Sequence, residues 1–240
     1  MKTIKNIKRS ILYLLISTTS ILLSCEKEDP INNNGFSEEI KNFVPDSTIQ
    51  KMRDLGMVIN EGKTPPKLEG IFLASPNIMK SSSVPNEKHK IGDKFINYDY
   101  EFFNQDNKKL HISVNSKGYN LDGDITSESK GDGAFISGNK NSFTVFVILD
   151  GYVLVNKSDT AYYQSLKVIS GTITPEGIES FHSALWMLND YNDPYDKFIP
   201  NNSGRVFYDS DSLAIRTSKL KSANLLKKIE NEIRNDSFTD

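Results

Sequence analysis

From Leu68 to about Val168 the chain is a succession of short apolar and aromatic runs cut by Gly, Asn and Asp. Leu110, Ile112 and Val114 alternate with His111, Ser113 and Asn115, the period of a half-buried strand. Ala134 to Ser137 and Phe143 to Leu149 flank Gly138-Asn139-Lys140-Asn141, a strong hairpin signal. Lys94 to Gln105 carries Phe95, Ile96, Tyr98, Tyr100, Phe102 and Phe103 and reads as one long or bent strand. Leu68 to Leu73, Tyr119 to Thr126 and Ala161 to Thr174 have strand composition too. Residues 75–93, rich in Ser, Pro and Lys, read as a long loop, and Asp150-Gly151 as a tight turn into Tyr152 to Val155. Val206 to Tyr208 and Leu213 to Ile215 flank Asp209-Ser210-Asp211, a further hairpin candidate. Short strands joined by tight turns predict a mainly β fold, an antiparallel barrel or sandwich.

Helical signals are few. Glu38 to Val44 predicts one helical turn. Residues 47–55 predict a short amphipathic helix, with the capping-box spacing Ser47 to Gln50, apolar Ile49, Met52 and Leu55, and Gly56 as C-cap. Residues 218–234 predict a C-terminal helix with Leu226, Ile229 and Ile233 on one side. The stretch 174–189 fits two periods. Ile178, Phe181, Leu185 and Leu188 suit a helix; Ile178, Ser180, His182, Ala184 and Trp186 suit one face of a strand, which would continue the meander. The tripeptide Ile-Ser-Gly occurs at 136–138 and again at 169–171, each time at a strand end.

The N-terminus has its own character. Lys2, Lys5, Lys8 and Arg9 lead into the apolar stretch that starts at Ile11 and ends in Leu22-Leu23-Ser24-Cys25. Such a segment is a secretory signal, too short to span a bilayer as a mature helix. Leu22-Leu23-Ser24-Cys25 resembles the lipobox of bacterial lipoproteins. The resemblance implies cleavage before Cys25, acylation of its thiol and new amino group, and anchoring in a membrane by lipid; the alternative is a plain signal with an incidental cysteine. Glu26-Lys27-Glu28-Asp29 is similar to the acidic export signal of Bacteroidetes-type lipoproteins, which implies the outer membrane and its cell-surface face. An ordinary charged linker fits those residues equally well. The strand pattern looks like the small lipocalin-like or calycin-like barrels found among such lipoproteins. The expected organisation is a signal at 1–24, a tether at 25–37, a β-rich domain with an N-terminal helix at 38–217, and a C-terminal helix and tail at 218–240.

Loss of residues 1–24 removes four of the 29 basic residues and none of the 31 acidic ones, leaving a net charge of −6. That balance excludes a nucleic-acid partner, which needs a basic excess or stripe. Cys25 is the only cysteine, so the domain has no internal disulfide, thiol nucleophile or thiolate metal site. His89, His111 and His182 are scattered, without ligand spacing. HExxH, GxSxG and phosphate-cradling glycine motifs are absent, and nothing calls for a cofactor. Asp122, Asp124, Asp209 and Asp211 are weak oxygen-ligand candidates for a cation, with solvated turn acids the simpler reading.

Aromatic residues are numerous, with 13 Phe and 10 Tyr. Most of them must form core, but Tyr98, Tyr100, Phe102, Tyr119, Tyr163 and Trp186 are candidates to line a pocket for an apolar small ligand or a glycan. The expected function is a non-enzymatic, lipid-anchored binding protein. The alternative is a surface module that engages another envelope protein, as a subunit of an uptake complex would. A hydrolase with an unrecognised site ranks third. The lipobox has a direct test: Cys25→Ala abolishes metabolic palmitate labelling and membrane association, and labelling that persists contradicts lipidation at this residue.

Overall fold

Side chains alternate across a strand, so the pairing of strands decides which set faces the core. The structure, a computed structural model, describes residues 35–120, 122–156 and 158–218. The signal with Cys25, the tether up to residue 34 and the helix expected at 218–234 lie outside the described residues, save Ser218. The described residues belong to one compact unit that begins at Gly35. In chain order it comprises α1 (Glu38–Phe43), α2 (Asp46–Asp54), β1 (Lys63–Thr64), β2 (Gly70–Ala74), β3 (Asn77–Ser82), β4 (Lys94–Phe95) and β5 (Asn97–Asp106). It continues with β6 (His111–Tyr119), β7 (Ile125–Asn139), β8 (Ser142–Leu154), β9 (Thr160–Ile173), β10 (Gly177–Asn189), β11 (Gly204–Asp209) and β12 (Leu213–Thr217).

Neighbours run β12-β2-β5-β6-β7-β8-β9-β10, and β10 also pairs with β12. Eight strands therefore close an antiparallel ring, a barrel rather than a sandwich. The ring is uneven. β8 and β9 pair along Ser142–Leu154, whereas the closing seam spans only Gly177–Glu179 of β10. Beyond that seam β10 pairs with β11 instead, and β3 and β4 follow outward from β11.

The Asp209-Ser210-Asp211 turn is thus not a hairpin. Tyr208 lies opposite His182 and Leu213 opposite Glu179, so the chain steps along β10 without reversing. β2 and β3 mirror this step across Ser75-Pro76, where the peptide is cis. Strand β3 falls in the segment expected to be loop. Its apolar content is only Ile78 and Met79, both buried, and Asn77, Lys80, Ser81 and Ser82 complete it. Tyr119 ends β6, and Asp124 turns back on Asn120 before β7, where a strand through Thr126 was expected.

Gly151 is likewise mid-strand, not in a turn. It sits between Ser129 and Tyr163, and a Cβ there would approach the Tyr163 ring to 2.8 Å and the Ser129 Cβ to 2.6 Å. Glycine is required by close packing inside the barrel. The repeated Ile-Ser-Gly has a packing cause as well. The two tripeptides flank β8 in matching register, Gly138 and Gly171 on either side of Phe143. A Cβ at Gly138 would lie 2.3 Å from the Ser142 carbonyl oxygen, and one at Gly171 2.3 Å from the Ile178 side chain, so close packing excludes a side chain at both.

The stretch 174–189 is a strand, but no single face carries the five residues expected there. A bulge between Glu179 and His182, with Ser180 at φ 51°, shifts the phase. Ile178 and Phe181 face the barrel interior, while Ala184 and Trp186 face outward. That outer face is covered. Phe36, Ile40, Val44, Ile49, Met52 and Met57 pack on Phe146, Leu166, Val168, Ala184, Trp186 and Val206. Phe36 and Ser37, assigned to the tether from sequence, are buried here: Phe36 meets Phe146 edge-on at 5.6 Å and Ser37 caps α1. The expected capping box on α2 does not form, since Pro45 occupies the N-cap and Gln50 donates to Asp54. Lys80 and Ser81 donate to the carbonyls of Gly56 and Leu55, closing the C-terminal end of α2.

Candidate functional site

The inside of the barrel has two halves. Aromatic side chains fill one: Phe72 against Phe102 at 5.9 Å, Phe102 against Phe143 at 6.5 Å, and Tyr100 against Phe181 at 5.7 Å. The other half is a cavity of about 360 Å³. Tyr98 of β5, Tyr163 and Lys167 of β9, and Leu185 and Met187 of β10 form its strand walls. Phe95, Phe207 and Arg205 extend them, and the segment after β10 adds Lys197, Phe198 and Ile199.

Two connecting segments build the mouth. In residues 190–203, Asp193 accepts from the backbone of Tyr195 and Phe198 at 2.9 and 3.2 Å, which holds Phe198 over the opening. The Phe198 ring rests 5.1 Å from that of Tyr163. In residues 83–93, Glu87 takes a bidentate pair from Arg205 at 2.7 and 2.8 Å. Hydrogen bonding to Arg205 holds the Glu87 carboxyl at about 2, well below the usual range. The His89 ring lies tilted against that of Phe95, 4.8 Å away, beside it.

Lys167 is the anomaly of this cavity. It lies between Val147 and Leu185 in register and is only 4% exposed. Its Nζ is 5.4, 5.5 and 5.7 Å from the ring centroids of Tyr98, Tyr100 and Phe207. Among the described residues no carboxylate lies within ion-pair distance of it. Burial alone pushes its amine down to about 7, so both protonation states are populated near neutrality. The aromatic faces offset part of the lost hydration of the cation. On the same face of β9, between Tyr163 and Lys167, the buried Ser165 hydroxyl has no hydrogen-bond partner among the described residues.

A lysine amine in a cavity walled mainly by apolar and aromatic side chains suits a small molecule with one polar group. No protein-family model, curated protein or solved structure matches this chain. The site's chemistry is therefore read from its own residues.

Of the aromatics singled out in the sequence, Tyr98 and Tyr163 line the cavity. Tyr100 lies beneath the Lys167 amine, and burial raises the pKa of all three phenols. Phe102 belongs to the filled half. Tyr119 and Trp186 do not reach the cavity. Tyr119 packs outside the barrel with Leu73 and donates to Asp99 at 2.9 Å, and Trp186 lies under α2 with Lys51 5.6 Å above its ring.

The candidate cation ligands are not gathered. Asp124 closes the turn after β6, and Asp209 sits fully buried at the strand corner, accepting from the Ser75 amide at 2.8 Å. Burial, with Asp211 beside it, pushes Asp209 up to about 8. Among the described residues no three His, Cys, Asp or Glu side chains are arranged to hold a metal. The histidines are apart: His89 at the mouth, His111 on Phe135, and His182 beside Lys80, its Nε2 3.1 Å from the Lys80 Nζ.

Lys167 went unread in the sequence because it gave no contrast. Leu166 and Val168 flank it, and both faces of β9 are buried where the helices cover the barrel. A charged residue inside such a run was the available signal.

The sign of the pH dependence follows from the shift. The folded value, about 7, lies below the unfolded one, so the fold disfavours the charged amine. The cost is absent above about pH 10.5, grows as pH falls towards 7, and is constant below that. Lys167→Met removes it. The variant melts above the natural chain at about pH 6, by on the order of a few kcal/mol, and the gap closes near pH 10.5. Thermal denaturation at both pH values checks this; a gap that does not change with pH contradicts it.

Proposed function

We propose that this chain is a lipid-anchored protein of the outer membrane that binds a small apolar ligand in the mouth of its barrel. One observation carries the reading: a cavity of about 360 Å³, walled by aromatic and aliphatic side chains, with the desolvated amine of Lys167 inside. Small-molecule sites have this composition, an apolar wall with a few placed polar groups. A barrel selected only for stability would have filled the space, because unfilled volume and a buried unpaired amine each cost stability. The lipid at Cys25 holds the protein at the membrane, and the chain from there to Gly35 gives the domain reach. In this reading no covalent chemistry is performed; the protein captures and holds.

A glycan is the second reading. Tyr152, Tyr162 and Tyr191 line a shallow depression beside Asp150, with Tyr162 60% and Tyr191 51% exposed. Exposed tyrosine rings beside a carboxylate suit the faces and hydroxyls of a sugar.

Native mass spectrometry of residues 26–240, purified without detergent from a bacterial host, tests the proposal. The expected result is a bound small molecule of low polarity. A sugar mass supports the second reading. A chain that stays free of any bound molecule after incubation with bacterial lipid extract contradicts both, and favours a subunit that engages another envelope protein.

A further inference from the structure

The charge of the mouth cavity has one sign. Lys167, Lys197 and Arg205 contribute to its wall, and no aspartate or glutamate does. The chain as a whole carries a net charge of −2, so this basic lining is local. Its members differ in what they have left to offer. Arg205 is occupied by the bidentate pair with Glu87. Lys197 is exposed at the rim, where water and salt screen it. Lys167 is the exception, buried at the closed end above Tyr100, with aromatic faces around it and no carboxylate within reach.

A buried ammonium without a counter-ion is among the costlier arrangements in a protein interior. An anion that arrives with a ligand removes that cost, because the pair then forms in a site from which water is excluded. Lys167 offers one cation at one depth, so it selects a single anionic head. The walls between it and the mouth, from Leu185 and Met187 to Phe198, offer no charge to a second one. We infer that the cavity takes an apolar molecule bearing one carboxylate, the carboxylate on the Lys167 Nζ and the tail directed past Met187 and Phe198 to the mouth. This rests on the reading of the cavity as the ligand site, and it names the ligand class. The volume, about 360 Å³, accommodates a tail of about ten carbons if each takes roughly the 30 Å³ of a water-sized group.

The test compares decanoate with 1-decanol by isothermal titration on residues 26–240, freed of bound lipid beforehand. The two share a tail and differ in the head. Decanoate binds the natural chain about tenfold or more tighter than decanol, the scale of a desolvated ion pair. Lys167→Met abolishes that preference by weakening decanoate, with decanol binding retained; the retained binding shows that the variant is folded. Lys197→Gln changes decanoate affinity by no more than about twofold, as expected of a screened rim charge. Equal affinity for the two probes on the natural chain overturns the carboxylate assignment and leaves the apolar-ligand reading standing. A preference that survives Lys167→Met but is lost in Lys197→Gln places the head at the rim and overturns the assignment to Lys167. Binding of neither probe overturns this inference and the proposed function together.

Discussion

Gly177–Glu179 of β10 pair with β12, and His182–Trp186 of the same strand pair with β11. That change of partner on one edge makes an inside for the sheet. Without the short seam to β12, the strands would form one open sheet that runs from β12 to β10 and on through β11 and β3 to β4. The bulge around Ser180 makes both pairings possible, because it turns the strand's phase between the two partners. The matching steps at Ser75-Pro76 and Asp209–Ser212 let β2-β3 and β11-β12 follow. Asp209 fastens the two corners through the Ser75 amide.

Closure by itself does not leave a cavity. The phenyl and phenol rings of Phe72, Tyr100, Phe102, Phe143 and Phe181 fill one half of the barrel to core density. Past Tyr100 the inward positions become smaller or polar: Ser165, Gly151, Ser183 and Lys167. The helices add a constraint from outside. By burying the outer face of β8, β9 and β10, they fix which side chains are left to point inward. Lys167 is held in the apolar interior by this two-sided burial, since a flip to the outer face would place it under α1 and α2. The site thus depends on the helices without being touched by them.

The strands and the β7-β8 hairpin were legible because alternation and turn residues are local signals. Ring closure was not, since it depends on three residues of β10 meeting β12, a pairing with no local mark. Gly151 and Asp209-Ser210-Asp211 misled for one reason: turn-type residues also serve where a barrel needs close packing or a step between strands. Strand β3 was hidden by its serines and lysine, which serve the end of α2 and the mouth rather than the core. For the site, aromatic richness pointed towards Tyr98, Tyr100 and Tyr163. Trp186 and Tyr119 have the same composition signal but the opposite phase, and phase along strands apolar on both faces is set by tertiary cover.

The central claim is that the Lys167 amine is desolvated and without a counter-ion inside the barrel. Nuclear magnetic resonance titration of the Lys167 side chain, with labelled lysine and the Lys167→Met variant for assignment, measures this directly. The account predicts a midpoint of about 7 in the ligand-free chain. A midpoint near the ordinary lysine value of about 10.4 would mean that the amine reaches water or a carboxylate, and would contradict the account.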